Sequence, residues 1–359
     1  MGLTPSRTTV DAVRDQRIER VEALVSPRRL LDDLPLSEAQ LGVVLERRSQ
    51  IHAVLDRDDD RLLVVVGPCS VHDPEATLDY AERLSATAER LKDDLLIAMR
   101  VYFEKPRTTT GWKGLINDPH LDGSGDVNEG LRRARHVLLG VLGTGLPVGC
   151  EFLDPIMPQY ISDAVSWAAI GARTAESQIH RQLGSGLSMP VGFKNRTDGN
   201  VQVAVDAVRA AAVPHAFAGI DRDGTPAIHH TRGNRDCHII LRGGRQAPNY
   251  SAEAFADAMG LLRKAGLPER GMIDFSHDNS SKDPFRQPAV AEEVGRQLAN
   301  GQRAIVGAML ESFLVGGRQE LGDGDLIYGQ SITDGCLDWE ATVSVLDGLA
   351  AAVRARRDR

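Results

Sequence analysis

The sequence predicts an α/β fold, a (β/α)8 barrel with an N-terminal helical extension and one β-hairpin inserted before the sixth barrel strand. Three observations carry that prediction. Eight short apolar runs alternate with amphipathic helical stretches, the pattern of a parallel sheet covered on both faces. The first run, 62–66, stops at Gly67-Pro68, presents Cys69 at its C-terminal edge, and leads into a helix begun by Asp73-Pro74. At or just beyond the end of each of the eight runs stands an ionisable or metal-binding residue, at the end of the strands where barrel enzymes carry out their chemistry.

The elements follow in order. Residues 1–60 make up the extension and 61–359 the barrel. Val10, Val13, Ile18, Val21 and Leu24 recur near helical spacing and predict a first helix. After Pro35, Ser37 and Gln40 form a capping box. The helix that follows carries Leu41, Val44, Leu45, Ile51, Val54 and Leu55 on one side and ends at the charged run 56–60. Both helices are expected on the outside of the barrel or against another subunit. Barrel strands are expected at 62–66, 95–101, 146–152, 168–172, 190–194, 237–241, 272–275 and 304–309. Helical stretches lie between them at 76–91, 129–142, 158–165, 201–212, 252–264 and 288–300. A further pair of runs, 215–220 and 225–230, is joined by a turn at Asp221-Arg222-Asp223-Gly224 and reads as an inserted hairpin at about 214–232. Residues 339–355 make a closing helix with basic residues in its last turns, as the helix dipole prefers.

Composition narrows the classes. The 359 residues are 42% hydrophobic and 26% charged, enough for a large core in an ordinary globular chain. Acidic residues outnumber basic ones by 50 to 42, which argues against nucleic acid as a partner but not against a locally basic pocket. No apolar run is long enough to span a membrane, so no membrane partner is expected. The N-terminus has no signal-peptide core. Cys69, Cys150, Cys237 and Cys336 are far apart and lack CxxC spacing. Neither a disulfide framework nor a zinc knot is expected, and the setting is a reducing cytoplasm.

The residues at the strand ends are Cys69, Arg100, Glu151, Arg173, Lys194, Arg242, His277 and Glu311. Each alone has an ordinary structural reading, since most free cysteines are small buried hydrophobes and a strand-end arginine is usually solvated. Eight on one rim point to a site. Cys69, His277 and Glu311, joined by Asp334, combine a thiolate, an imidazole and carboxylates. That donor set suits Mn2+, Fe2+, Co2+ or Zn2+ better than Mg2+ or Ca2+. Its wide spacing in the sequence indicates a catalytic site assembled by the fold rather than a structural zinc module. Arg100, Lys105, Arg173, Lys194 and Arg242 would repel one another unless a multivalent anion lay among them, and arginine forks match phosphate and carboxylate alike. Arg107, Thr108 and Thr109 add a guanidinium and two hydroxyls, which suits a second phosphate. Together these features describe an enzyme joining two phosphorylated small molecules.

The stretches GPCSVHDP, MRVYFEKPRTTTGWKGLINDPH, GARTAESQ, PVGFKNRTDG, CHIILRGG, PNYS, MIDFSH and SITDGC resemble the type I (class Iα) 3-deoxy-D-arabino-heptulosonate 7-phosphate (DAHP) synthases. The resemblance runs in unbroken order from about Asp60 to the C-terminus. It implies the first step of the shikimate pathway, a condensation of phosphoenolpyruvate with erythrose 4-phosphate that gives DAHP and phosphate. By the same resemblance Cys69, His277, Glu311 and Asp334 would hold the divalent metal. Arg100, Lys105, Arg173, Lys194 and Arg242 would bind phosphoenolpyruvate, with Glu151 ordering a water or the carboxylate side. Arg107 and Thr108 would take the phosphate of erythrose 4-phosphate, and Lys105 would donate a proton to the new alkoxide.

The hairpin at 214–232 and the turn at 154–158 differ from the commonest family versions. In relatives these regions form the pocket where an aromatic amino acid inhibits the enzyme. The expected effector is therefore phenylalanine, tyrosine or tryptophan, acting on a homodimer or homotetramer. Gly219 leaves room near a ligand ring for a hydroxyl and points to tyrosine. Two other readings stand beside this one. A sister phosphoenolpyruvate–aldose synthase, such as 3-deoxy-D-manno-octulosonate 8-phosphate synthase, would use the same barrel with a longer sugar. A catalytically silent regulatory partner would show gaps in the catalytic set, and the sequence has none.

Overall fold

The computed structural model describes residues 13–107, 109–322 and 324–359. Its strands run β1 (Leu62–Gly67), β2 (Leu95–Arg100), β3 (Val148–Glu151), β4 (Trp167–Ile170) and β5 (Val191–Lys194), then β6 (Ala216–Ile220) and β7 (Pro226–His230), and then β8 (Cys237–Leu241), β9 (Gly271–Asp274) and β10 (Ile305–Glu311). All but β6 and β7 are parallel members of one closed barrel, shut where β1 pairs with both β2 and β10. β6 and β7 pair antiparallel as the separate hairpin expected from the Asp-Gly turn, with Ile220 opposite Pro226. A small sheet of β11 (Val315–Arg318) and β12 (Gln330–Ser331) follows the barrel.

The unbroken apolar character of β1 has a direct cause, since both of its faces are covered. Leu63 and Val65 point into the barrel, while Leu62, Val64 and Val66 join the outer core beneath the helices. That outer layer consists of α3 (Pro74–Arg90), α4 (Val127–Gly143), α5 (Pro158–Ile161), α6 (Gln178–Gly186), α7 (Gln202–Ala211), α8 (Ala252–Lys264), α9 (Gln287–Ala299) and α10 (Trp339–Arg357). The Asp73 side chain caps α3 by accepting from the Ala76 N–H, with Pro74 in the first turn. Helix α6 has no counterpart among the sequence expectations. Its polar start and two glycines give it little intrinsic preference for helix, and burial of His180 and Leu183 against the barrel wins instead. Among the described residues no helix is long and apolar enough to cross a membrane.

The extension differs most from expectation. Val10 lies outside the described residues, and 13–26 is not helical. Val13 and Val21 are 81% and 83% exposed, so their helical spacing has no packing surface to act on. The first helix is α1 (Pro27–Asp33), where the Ser26 hydroxyl accepts from the Arg29 N–H. α2 (Glu38–Asp56) starts at the Ser37–Gln40 capping box, with both reciprocal hydrogen bonds made. Its buried stripe is narrower than the sequence suggested, because Leu41 and Leu45 face solvent while Val44, Ile51, Val54 and Leu55 are buried. Nor does the helix simply lie on the outside. Ile51, Val54 and Leu55 pack with the inward-facing Leu63, Leu96, Met272 and Val306, so the C-terminal half of α2 closes the floor of the barrel. Ion pairs from Arg270 to Asp56 at 2.7 Å and from His52 to Asp236 at 2.9 Å hold it there.

Candidate active site

The opposite, C-terminal end of the barrel holds a cavity of about 260 Å3. Arg100, Glu151, Lys194 and Glu311 are the last residues of β2, β3, β5 and β10, and Arg242 directly follows β8. Cys69, Arg173 and His277 stand on the loops after β1, β4 and β9. The strand-end residues therefore share one rim because parallel strands in register deliver their ends to one face. Arg100, Lys105, Arg107, Glu151, Arg173, Lys194, Arg242, His277 and Asp334 all line the cavity. Thr108 lies outside the described residues.

Cys69, Glu311 and Asp334 come together, with one donor atom of each within 4.8 Å of the others. His277 stands beside this group rather than inside it, its Nε2 3.7 Å from Glu311 Oε1. The Lys105 ammonium lies between two of the donors, 2.6 Å from Cys69 Sγ and 3.2 Å from Asp334 Oδ2. A positive charge thus already sits against the thiol and a carboxylate, and soft and hard donors are mixed. Both features fit a divalent transition metal. Burial, and then Glu311, push the Cys69 thiol up to about 11. A divalent cation in contact with that sulfur would reverse the shift and hold it as thiolate. Lys105 holds the Asp334 carboxyl well below the usual range. Burial works against charge on Lys105, but Cys69, Asp334 and Glu311 outweigh it and keep the amine protonated.

Glu311 is fixed from two sides. The Gln287 side chain donates to the Glu311 carbonyl at 2.9 Å and accepts from its N–H at 3.0 Å. Arg100 donates to Glu311 Oε1 at 2.9 Å and to the Cys69 and Pro68 carbonyls at 3.2 and 3.1 Å. Its guanidinium also lies 3.7 Å from the centre of the Tyr102 ring. Arg100 thereby braces β1, β2 and β10 at the point where the thiol leaves its strand. Arg242 pairs with Asp278, and Arg173 donates to the Pro106 carbonyl at 3.1 Å. The loop after β9 is strained, with His277, Ser281 and Lys282 all at positive φ (55°, 56° and 61°). Such backbone persists only where surrounding contacts over-determine it, and it gathers at functional sites.

Tyr102, Glu104, Thr110, Thr174, Thr197 and Lys282 also line the cavity, and none of them was expected there from the sequence. The Tyr102 hydroxyl is buried with no hydrogen-bond partner among the described residues. Glu104 accepts from the N–H groups of Leu153 and Asp154, yet burial pushes its carboxyl up to about 8. Both neighbour Arg100 and Lys105 in the sequence, which was the one available signal. Seven lysines and arginines line this cavity (Arg100, Lys105, Arg107, Arg173, Lys194, Arg242 and Lys282), against three carboxylates from Glu104, Glu151 and Asp334. In a protein of net charge −8 this is a local reversal of sign, and it is what a polyanionic ligand needs.

A second cavity, of about 810 Å3, lies between α1, the α5 region, α6 and the hairpin. Arg28 joins α1 to the hairpin turn, its N–H donating to the Arg222 carbonyl at 2.7 Å and its side chain pairing with Asp223 at 2.5 Å. A side chain at Gly219 would crowd the hairpin's own residues. A Cβ there would meet the His229 ring at 2.7 Å, and that ring stacks on Phe217 with centroids 5.6 Å apart. Gly219 nonetheless lines this cavity, beside Phe217 and His229.

Comparison with known proteins agrees with this geometry. The chain is 56% identical over 344 residues to the Phe-sensitive phospho-2-dehydro-3-deoxyheptonate aldolase of Escherichia coli (strain K12), covering 96% of this chain and 98% of that one. It is 50% identical over 360 residues to the tyrosine-inhibited phospho-2-dehydro-3-deoxyheptonate aldolase of Schizosaccharomyces pombe, covering 98% and 97%. The solved phospho-2-dehydro-3-deoxyheptonate aldolase of Francisella tularensis SCHU S4 superposes with a TM-score of 0.93 at 48% identity, over 95% of this chain and 99% of that chain. Residues 36–347 match the model of the DAHP synthetase I family, and this chain, with its closed barrel and cationic mouth, belongs to that family.

Proposed function

We propose that the cavity at the C-terminal end of the barrel condenses phosphoenolpyruvate with erythrose 4-phosphate to give DAHP and inorganic phosphate. The chain is an enzyme of the 3-deoxy-7-phosphoheptulonate synthase class, which opens the route to the aromatic amino acids. The observation that carries the reading of the site is the concentration of seven cationic side chains around one small cavity beside a thiol–carboxylate cluster. Arg100, Arg173, Lys194 and Arg242 bind the phosphate and carboxylate of phosphoenolpyruvate, with Lys105 beside them. Arg107 and Thr108 take the phosphate of the sugar. Two phosphorylated substrates so held meet as an effectively unimolecular pair.

Cys69, His277, Glu311 and Asp334 would hold the divalent metal, which supplies Lewis-acid polarisation of the sugar aldehyde. The enol carbon of phosphoenolpyruvate attacks that carbonyl carbon. Lys105, kept protonated beside the same donors, delivers a proton to the aldehyde oxygen as the new carbon–carbon bond forms. Water oriented by Glu151 adds to the electron-deficient carbon left behind, and phosphate departs by cleavage of its carbon–oxygen bond. The arginine forks stabilise the bound anions and the charge on the leaving phosphate.

The second cavity fits an aromatic amino acid effector, as the names of the Phe-sensitive and tyrosine-inhibited relatives suggest. We further propose that the enzyme works as a homodimer or homotetramer. The test is loss of phosphoenolpyruvate absorbance with erythrose 4-phosphate and arabinose 5-phosphate in parallel, repeated with each aromatic amino acid added. Turnover only with erythrose 4-phosphate is expected, and turnover only with the five-carbon sugar would refute the assignment. Unchanged rates with phenylalanine, tyrosine and tryptophan would remove the effector role.

A further inference from the structure

We propose that Asp274 is a positioning residue that ties the two halves of the active site together, one carboxylate orienting His277 on the metal side and holding Lys194 on the phosphoenolpyruvate side. The inference rests on the reading of the site given above and adds to it a residue that touches neither metal nor substrate.

Asp274 ends β9 and is 0% exposed. Its Oδ1 is engaged locally, accepting from the Ser276 N–H at 3.0 Å and the Ser276 hydroxyl at 2.6 Å. Its Oδ2 lies 2.9 Å from His277 Nδ1 and 3.3 Å from Lys194 Nζ. Neither contact is aligned as a hydrogen bond, so Oδ2 acts on both groups through charge and proximity. The Ser276 hydroxyl stands 2.8 Å from the same His277 Nδ1, which makes Asp274, Ser276 and His277 a closed triangle.

With Asp274 and Ser276 both against Nδ1, the imidazole is turned so that its Nε2 stands 3.7 Å from Glu311 Oε1. A carboxylate behind a metal-binding histidine fixes the tautomer and ring plane and raises ligand basicity. The positive φ at His277 gives a second reason for such a clamp, because the histidine would otherwise relax out of that conformation. Lys194 arrives from β5, on the other side of β8, and shares the same carboxylate oxygen. A buried carboxylate placed between an ammonium and an imidazole sets the distance between them. In this way the metal half and the anion half hold a fixed relation before either ligand arrives.

The test uses Asp274→Asn in the full-length protein, because asparagine keeps the size and the acceptor for Ser276 while losing the charge. Co2+ is titrated into metal-free protein against a chromophoric chelator, and the visible bands of the Co2+ form are recorded. Co2+ affinity should fall by about ten- to a hundred-fold with altered bands, and the KM for phosphoenolpyruvate at saturating metal should rise. A folded variant with unchanged Co2+ affinity, or with unchanged KM, overturns the proposal. Should Asp274→Asn fail to fold, Ser276→Ala takes its place, with a smaller loss of Co2+ affinity expected and an unchanged affinity overturning the idea. His277→Ala separates the two levels of argument. If it binds Co2+ as the native protein does, the assignment of His277 as a ligand fails as well. If it loses Co2+ while Asp274→Asn does not, the inference about Asp274 alone is wrong.

Discussion

Ile51 is part of the barrel floor, fully buried in a cluster with side chains of α2 and of several barrel strands. Replacing it by alanine tests whether the extension is part of the barrel's core or an accessory to it. Truncation of a buried isoleucine to alanine costs about 2–5 kcal/mol, depending on how far the site collapses. At about 2.1 cal/mol/K per residue, 359 residues give an unfolding entropy of about 750 cal/mol/K. The midpoint of thermal unfolding should therefore fall by about 3–7 °C. Leu45 provides the control, since it lies on the same helix but is 59% exposed. Leu45→Ala should shift the midpoint by less than about 1 °C, as surface changes stay within about 0.5 kcal/mol. Both variants should keep the native rate at 25 °C, because the floor and the reacting groups are at opposite ends of the strands. Differential scanning fluorimetry and a rate assay on the same preparations decide the matter. Equal midpoints for Ile51→Ala and the native protein would refute the floor role of α2.

Cys69→Ser should abolish most activity with an unchanged circular dichroism spectrum, since on the proposed reading a neutral hydroxyl would replace a thiolate ligand, and full activity in metal-free buffer would show Cys69 to be a core residue only. If Arg173 binds phosphoenolpyruvate as proposed, Arg173→Ala removes a charged bidentate contact worth about 1.5–3 kcal/mol, so affinity or rate should fall about ten- to a hundred-fold. Arg173→Lys should recover only part of that loss, because an ammonium lacks the planar fork, and equal rates for the two would argue against bidentate binding. Asp274 and Asp334 both have carboxyls held below the usual range in the fold. Their contribution is present above the unfolded carboxylate value of about 3.9 and is lost as pH falls below it. The urea midpoint of the metal-free protein should fall between about pH 4 and pH 2.5, and Asp334→Asn should flatten that fall.

How much could be read from the residues varies with how local the cause is. The capping box of α2, the hairpin turn at Asp221–Gly224 and the run of β8 follow from neighbours within a few positions, and the structure repeats them. The strand-end rim was legible for a similar reason, because in a parallel barrel the end of each strand is set by its own sequence and the face is shared by all. Long-range closure decided the rest. Cys69 meets Asp334 across 265 residues of sequence, and Asp274 meets Lys194 across strands that no spacing rule connects. Ile51 and Leu45 look alike in a helical pattern, yet one fills the barrel floor and the other faces water. The residues at 13–21 carry a helical period with no surface to bury it, and α6 forms without strong preference because the barrel offers one. Apolar spacing states what a segment could bury, and only the closed barrel determines which of those faces finds a partner.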